Sequence, residues 1–187
     1  MKKTVLTFGL ISGVMLSLMM VATIPFIDRI GMDKGMIIGY TTMLFSFLLV
    51  FFGVRSYREN VGGGQISFGR AFSVGILIMI VASLCYVIAW EILYFNFLPD
   101  FPEKYANYAI EQLRASGASQ AVIDAKAEEM KRFGELYQNP LFVAAFTFLE
   151  PLPIGVPVTL ISALILKRKN RKKDGDEETA GELIRVS

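Results

Sequence analysis

Four apolar runs, each free of Lys, Arg and His, govern what this chain can fold into: residues 4–27, 35–54, 71–98 and 141–166. Each has 20 or more residues, and a helix needs roughly 20 to cross a hydrocarbon core about 30 Å thick. The expected fold class is therefore all-α: a polytopic membrane protein of four transmembrane helices. Composition agrees, since 53% of the 187 residues are hydrophobic and only 19% charged, against about 25% charged in soluble domains. The first run follows Lys2 and Lys3, as a signal peptide would, but it exceeds the usual h-region length and ends in Pro25 and Phe26 without a small-x-small cleavage site. It reads as a retained helix.

Orientation follows from basic residues, which favour the cytoplasmic side. Two lie at the N-terminus, three in the second connection (Arg55, Arg58, Arg70) and seven in the tail from Lys167 onward, twelve of nineteen on one side. The opposite side has Arg29, Lys34 and five in the stretch 99–140, where seven acids outnumber them. Both termini are placed in the cytoplasm, the chain in a cytoplasmic membrane as a multi-pass protein. The expected organisation is a membrane domain over 1–166 and a charged, disordered cytoplasmic tail over 167–187. The tail's basic half would be drawn to anionic lipid.

The polar stretch 99–140 is expected to form an extracytoplasmic helical hairpin. Pro102 suits a first helical turn, and Tyr105, Tyr108, Ala109 and Leu113 follow at helical spacing to a stop at Gly117. Ser119 then reads as an N-cap, with Ile123, Ala127, Met130, Gly134 and Tyr137 on one stripe. The stripe is expected to pack on the helix ends. On the cytoplasmic side, Gly62, Gly63 and Gly64 form a turn before Ser67, without the strand and Gly-Lys-Ser/Thr ending of a phosphate loop.

With no histidine and a single cysteine, Cys85, the chain offers no imidazole base, histidine metal site, Cys cluster or internal disulfide. No nucleophile–base pair can be assembled without them, so no enzymatic activity and no cofactor are expected. A net charge of +2 gives no reason for a nucleic-acid partner. The expected partners are the bilayer and other membrane proteins or a second copy, with Gly9 and Gly13 in a G-x-x-x-G spacing that favours close helix packing.

The candidate polar site lies inside the spans. Glu91 and Glu150 are the acids there, and each costs on the order of 3 kcal/mol near the bilayer centre. No basic residue within a span can pair with them. Counted from the outer helix ends at 1.5 Å per residue, they lie roughly 12 and 15 Å deep, so helices three and four could bring the carboxyls together to share a proton. Pro151, Pro153 and Pro157 follow Glu150 and withhold backbone donors. Helix four is expected to be interrupted over 150–157, as discontinuous transporter helices are. A structural alternative has a protonated Glu bonding a freed carbonyl or Ser83, Tyr86, Tyr94 or Thr147. Trp90 and Tyr94 read as interfacial anchors.

Two functions follow from these residues: a structural or accessory membrane protein acting through helix contacts, and a small proton-coupled carrier using Glu91 and Glu150. The stretch Tyr57-Arg58-Glu59-Asn60, Gly63, Gly64, Ile66-Ser67-Phe68 and Ala71-Phe72, with Gly13, Gly53 and Gly75 in the helices, resembles the bacterial domain of unknown function 4199 (DUF4199) over residues 4–166. The resemblance implies a small inner-membrane protein of four helices with an extracytoplasmic segment between the last two. It implies no activity and no catalytic residues.

Overall fold

A computed structural model of the chain describes residues 1–168 and is all-helical. Helix α1 (Lys2–Thr23) runs through a single 3-10 turn, Ile24–Phe26, into the short α2 (Ile27–Ile30). Then come α3 (Met32–Asn60) and α4 (Phe68–Phe97), the shorter α5 (Phe101–Ala115) and α6 (Gln120–Leu136), and α7 (Pro140–Leu149) and α8 (Leu152–Leu166). The first three long helices, Lys2–Phe26, Met32–Asn60 and Phe68–Phe97, are each long and apolar enough to cross a membrane; α7 and α8 qualify together, bent by 41°. The tail assigned from the sequence lies outside the described residues beyond Arg168.

Helix α3 is longer than its apolar run. The run ends before Arg55, but the helix continues through Arg58 to Asn60, because Arg and Glu are good helix formers and stop only the hydrophobicity. At 29 residues and 1.5 Å per residue it spans roughly 44 Å, more than the ~30 Å thickness of a hydrocarbon core.

The surface is strongly apolar, unlike that of a water-soluble domain, although the interior is apolar too. Leu141 is 81% exposed, Phe97 70% and Ile37 66%, while Ser12, Ser46, Ser83 and Thr159 are fully buried. Large apolar side chains facing out, with some hydroxylic ones buried between helices, is the arrangement of helices solvated by lipid. Ser12 Oγ crosses from α1 to donate to the Ser46 carbonyl of α3 at 2.8 Å, and Thr159 donates back to Gly155 of its own helix at 2.7 Å.

Glycines set the closest approaches. A Cβ at Gly13 would lie 2.6 Å from Cys85 Cβ, and one at Gly9 2.7 Å from Val81 Cβ. The G-x-x-x-G pair therefore serves the α1–α4 seam within the chain. Gly155 does the same for α8, where a Cβ would meet Met79 Sδ at 2.5 Å.

The α3–α4 connection turns at Gly63 and Gly64, with φ of +59° and +81°, backbone that residues with a Cβ rarely adopt. Ser67 caps α4, its side chain accepting from Arg70 N–H at 3.4 Å. Ile66 and Arg168 exchange two backbone hydrogen bonds, at 3.2 and 2.9 Å. That pairing fixes this connection beside the end of α8. Helices α5 and α6 pack on each other, Gly117 at φ +75° turning between them. Pro102 sits in α5's first turn as expected, and Ser119 occupies the N-cap of α6 without a side-chain bond to it.

Candidate functional site: a cavity at the bend of the last helix pair

Proline chemistry determines where the last span breaks. Pro151 and Pro153 have no N–H, so the carbonyls of Thr147 and Leu149 lose their helical donors. Helix α7 ends at Leu149 and α8 begins at Leu152, with Gly155 N–H closing the first turn of α8 on the Pro151 carbonyl at 2.8 Å. The interruption is narrower than the stretch 150–157 expected from the sequence. Pro157 lies inside α8, and the helix continues past it because one missing bond can be absorbed where two closely spaced ones cannot.

The bend separates the two halves. Helix α8 packs along α3 and α4, whereas α7 stays on α4 and leans away from α3. The wedge left between the end of α1, the first half of α3 and α7 is a cavity of about 910 Å³. Gly39 and Tyr40 line it from α3, Tyr86 and Trp90 from α4, and Thr147, Glu150 and Pro153 from the bend. Helix α5 forms its rim, with Asp100, Lys104, Tyr108 and Glu111.

Glu150 stands at the corner. Protein crowds around its carboxyl, yet the residue remains exposed because it faces the cavity. Tyr86 donates its hydroxyl to Glu150 Oε2 at 3.1 Å. Beside this contact Trp90 Nε1–H donates to Tyr137 OH at 2.9 Å, and Tyr137 also bonds the Thr147 hydroxyl. Burial pushes the Tyr137 phenol up to about 12, against the opposing effect of those two hydrogen bonds. Aromatic contacts hold the arrangement: Trp90 to Phe101 at 4.8 Å, Phe133 to Tyr137 at 4.9 Å and Tyr94 to Tyr137 at 5.0 Å between ring centroids.

These contacts correct the reading of Trp90 and Tyr94 as interfacial anchors. Both are buried, at 8% and 5% exposure, and their rings tie the start of α5 and the end of α6 to α4. At the rim, Tyr108 donates to Asp33 of α3, and Gln112 Nε2 reaches the same carboxylate at 3.4 Å. The bond to Asp33 holds the Tyr108 phenol above its usual range.

Glu91 is elsewhere. It does not line the cavity, and its Oε1 is buried without a hydrogen-bond partner. Glu150 bonds Tyr86 rather than Glu91, and no hydrogen bond joins the two carboxyls among the described residues. At about 100° per residue, Glu91 points roughly 140° around α4 from Tyr86. The two acids, expected at a similar depth, do not share a direction: Glu150 reaches Tyr86 and Glu91 does not line the cavity. Of the prolines, Pro153 lines the cavity, Pro151 is fully buried behind the corner and Pro157 lies exposed on α8 away from it. Residues absent from the sequence-derived site, Tyr40 and Trp90, reach the cavity; their signal was a hydroxyl or indole set within an apolar span. Among the described residues no group of three or more acids and thiols is placed to hold a metal.

No curated protein and no solved structure matches the chain. The model of a family described as protein of unknown function, DUF4199, matches residues 7–168, nearly the whole of the described helical bundle. The chain belongs to the DUF4199 family.

Proposed function

We propose that this protein is a multi-pass inner-membrane binding protein that admits a small amphiphilic molecule to the cavity at the bend and carries out no reaction on it. Its four spans are α1, α3, α4 and the α7–α8 pair, with both termini cytoplasmic. The pairing of Ile66 with Arg168 supports this orientation, since it gathers Arg55, Arg58, Arg70 and Lys167 toward one end of the bundle, the end that basic residues favour. Helices α5 and α6 then lie on the outer side, over the mouth of the cavity.

The observation that carries the reading is the break at Glu150–Pro151, which opens about 910 Å³ beside a carboxylate held by Tyr86. A cavity of several hundred Å³, apolar with a few directed polar groups, is the usual form of a small-molecule site. The accessory reading, through helix contacts with partners, has less support, because Gly9 and Gly13 are spent on α4. A carrier built on Glu150 alone remains compatible with this geometry; one built on a shared proton between Glu91 and Glu150 is not supported by it.

Native mass spectrometry of the protein released from mild detergent tests the proposal. Gly39 lines the cavity and a Cβ there meets nothing within 4 Å, so Gly39→Phe fills the space without helix strain. Wild-type protein is expected to carry a co-purified small molecule that Gly39→Phe lacks. Equal spectra with no adduct in either would overturn it.

A further inference from the structure

A carboxylate deep in a membrane protein needs a counter-charge or a proton, and the wall of this cavity is short of counter-charge. Among the described residues its charged lining is Asp100, Glu111 and Glu150 against one base, Lys104. Lys104 Nζ lies 3.1 Å from Asp100 Oδ2, so the base at the rim is already matched to an acid there. Among the described residues, Glu150 is hydrogen-bonded by the neutral hydroxyl of Tyr86.

Around that acid stand groups suited to a soft cation. Trp90, Tyr86 and Tyr137 are among the residues that line the cavity, and aromatic rings attract desolvated ammonium ions. The remaining wall is rich in thioethers, Met20, Met36 and Met43 among them, whose flexible chains repack around varied apolar shapes. An anion would meet a net acidic wall; a neutral lipid tail would leave Glu150 unmatched.

We infer that the cavity takes a lipophilic organic cation, a quaternary or protonated amine carrying apolar groups, with its charge at Glu150 and its apolar parts against the methionine wall. The inference rests on the binding reading above and adds the sign of the ligand's charge.

The test uses the full chain in detergent micelles and two probes of the same shape and opposite charge, tetraphenylphosphonium and tetraphenylborate. Trp90 is the single tryptophan and lines the cavity, so its fluorescence reports occupancy directly. Saturable quenching by the cation and not by the anion is expected, abolished by Gly39→Phe. Glu150→Gln is expected to weaken the cation by roughly tenfold to a hundredfold, the worth of one charge-assisted contact. Equal binding of both ions, or unchanged cation affinity in Glu150→Gln, overturns the charge assignment and leaves the cavity reading standing. If neither ion binds while native spectra still show an adduct lost in Gly39→Phe, the charge assignment alone falls; if there is no adduct either, both fall. The contrast between ions on wild-type protein needs no variant to fold.

Discussion

Replacing Tyr86 and Glu150 in a double-mutant cycle separates the observed contact from the carboxylate pair that the sequence alone suggested. The perturbations are Tyr86→Phe, which removes the hydroxyl donated to Glu150 Oε2 at 3.1 Å, and Glu150→Ala, which removes the acceptor. Hydrogen bonds between helices in membranes average about 0.6 kcal/mol and reach about 1.7, and this one, long for an O–H···O bond and partly screened by the open cavity, is expected to couple at about 0.6–1.7 kcal/mol. The control cycle pairs Glu150→Ala with Glu91→Ala. With Glu91 turned roughly 140° from Tyr86 around α4, those two substitutions are expected to add within about 0.5 kcal/mol, as unconnected sites do. Reversible unfolding in mixed micelles, followed by Trp90 fluorescence or helicity, supplies each free energy. A Glu91–Glu150 coupling larger than the Tyr86–Glu150 coupling would refute the geometry.

Further outcomes follow from single positions. Gly13→Val is expected to cost about 1–3 kcal/mol by overpacking the α1–α4 seam, where even a Cβ would come 2.6 Å from Cys85 Cβ; unfolding in mixed micelles measures it, and an unchanged midpoint would contradict that seam. Pro151→Ala restores a donor to the Thr147 carbonyl and is expected to reduce the 41° bend, read as a longer distance between spin labels at Ala145 and Leu160. The Tyr137 phenol titrates at about 12, above the ~10 of an unfolded tyrosine. Its contribution to stability is therefore fully present below pH ~10 and lost as pH rises through about 12. Tyr137→Phe should remove one phenol from the fraction that ionises near pH 12 in an ultraviolet titration.

Much of the architecture was legible because it depends on one-dimensional signals. Four apolar runs announce long helices, Gly117 and Pro102 mark the ends of α5, and the prolines after Glu150 announce a break. The places of Glu91 and Glu150 along their helices were countable, since rise along a helix is a count of residues. Direction was not. Whether Glu91 faces α7, α8 or lipid depends on how α4 is rotated against its neighbours, and that is set by Gly13 on Cys85, Gly155 on Met79 and the rings of Trp90 and Tyr94. The same ignorance of rotation made Trp90 and Tyr94 look like interface anchors, because an aromatic near a span's end has the same sequence whether it faces lipid or Tyr137. Proline counting likewise overestimated the interruption: Pro151 and Pro153 act together within one turn, while Pro157 is absorbed.

The central claim is that the bend holds open an accessible cavity between α1, α3 and α7. Thiol reactivity at Gly39→Cys, with Cys85 replaced by alanine, tests it most directly, because only a thiolate reached by water and reagent reacts. The account predicts rapid modification by a small methanethiosulfonate carrying an ammonium group, with a change in Trp90 emission and protection by tetraphenylphosphonium. Reaction as slow as that of a cysteine placed at the fully buried Phe47 would contradict it.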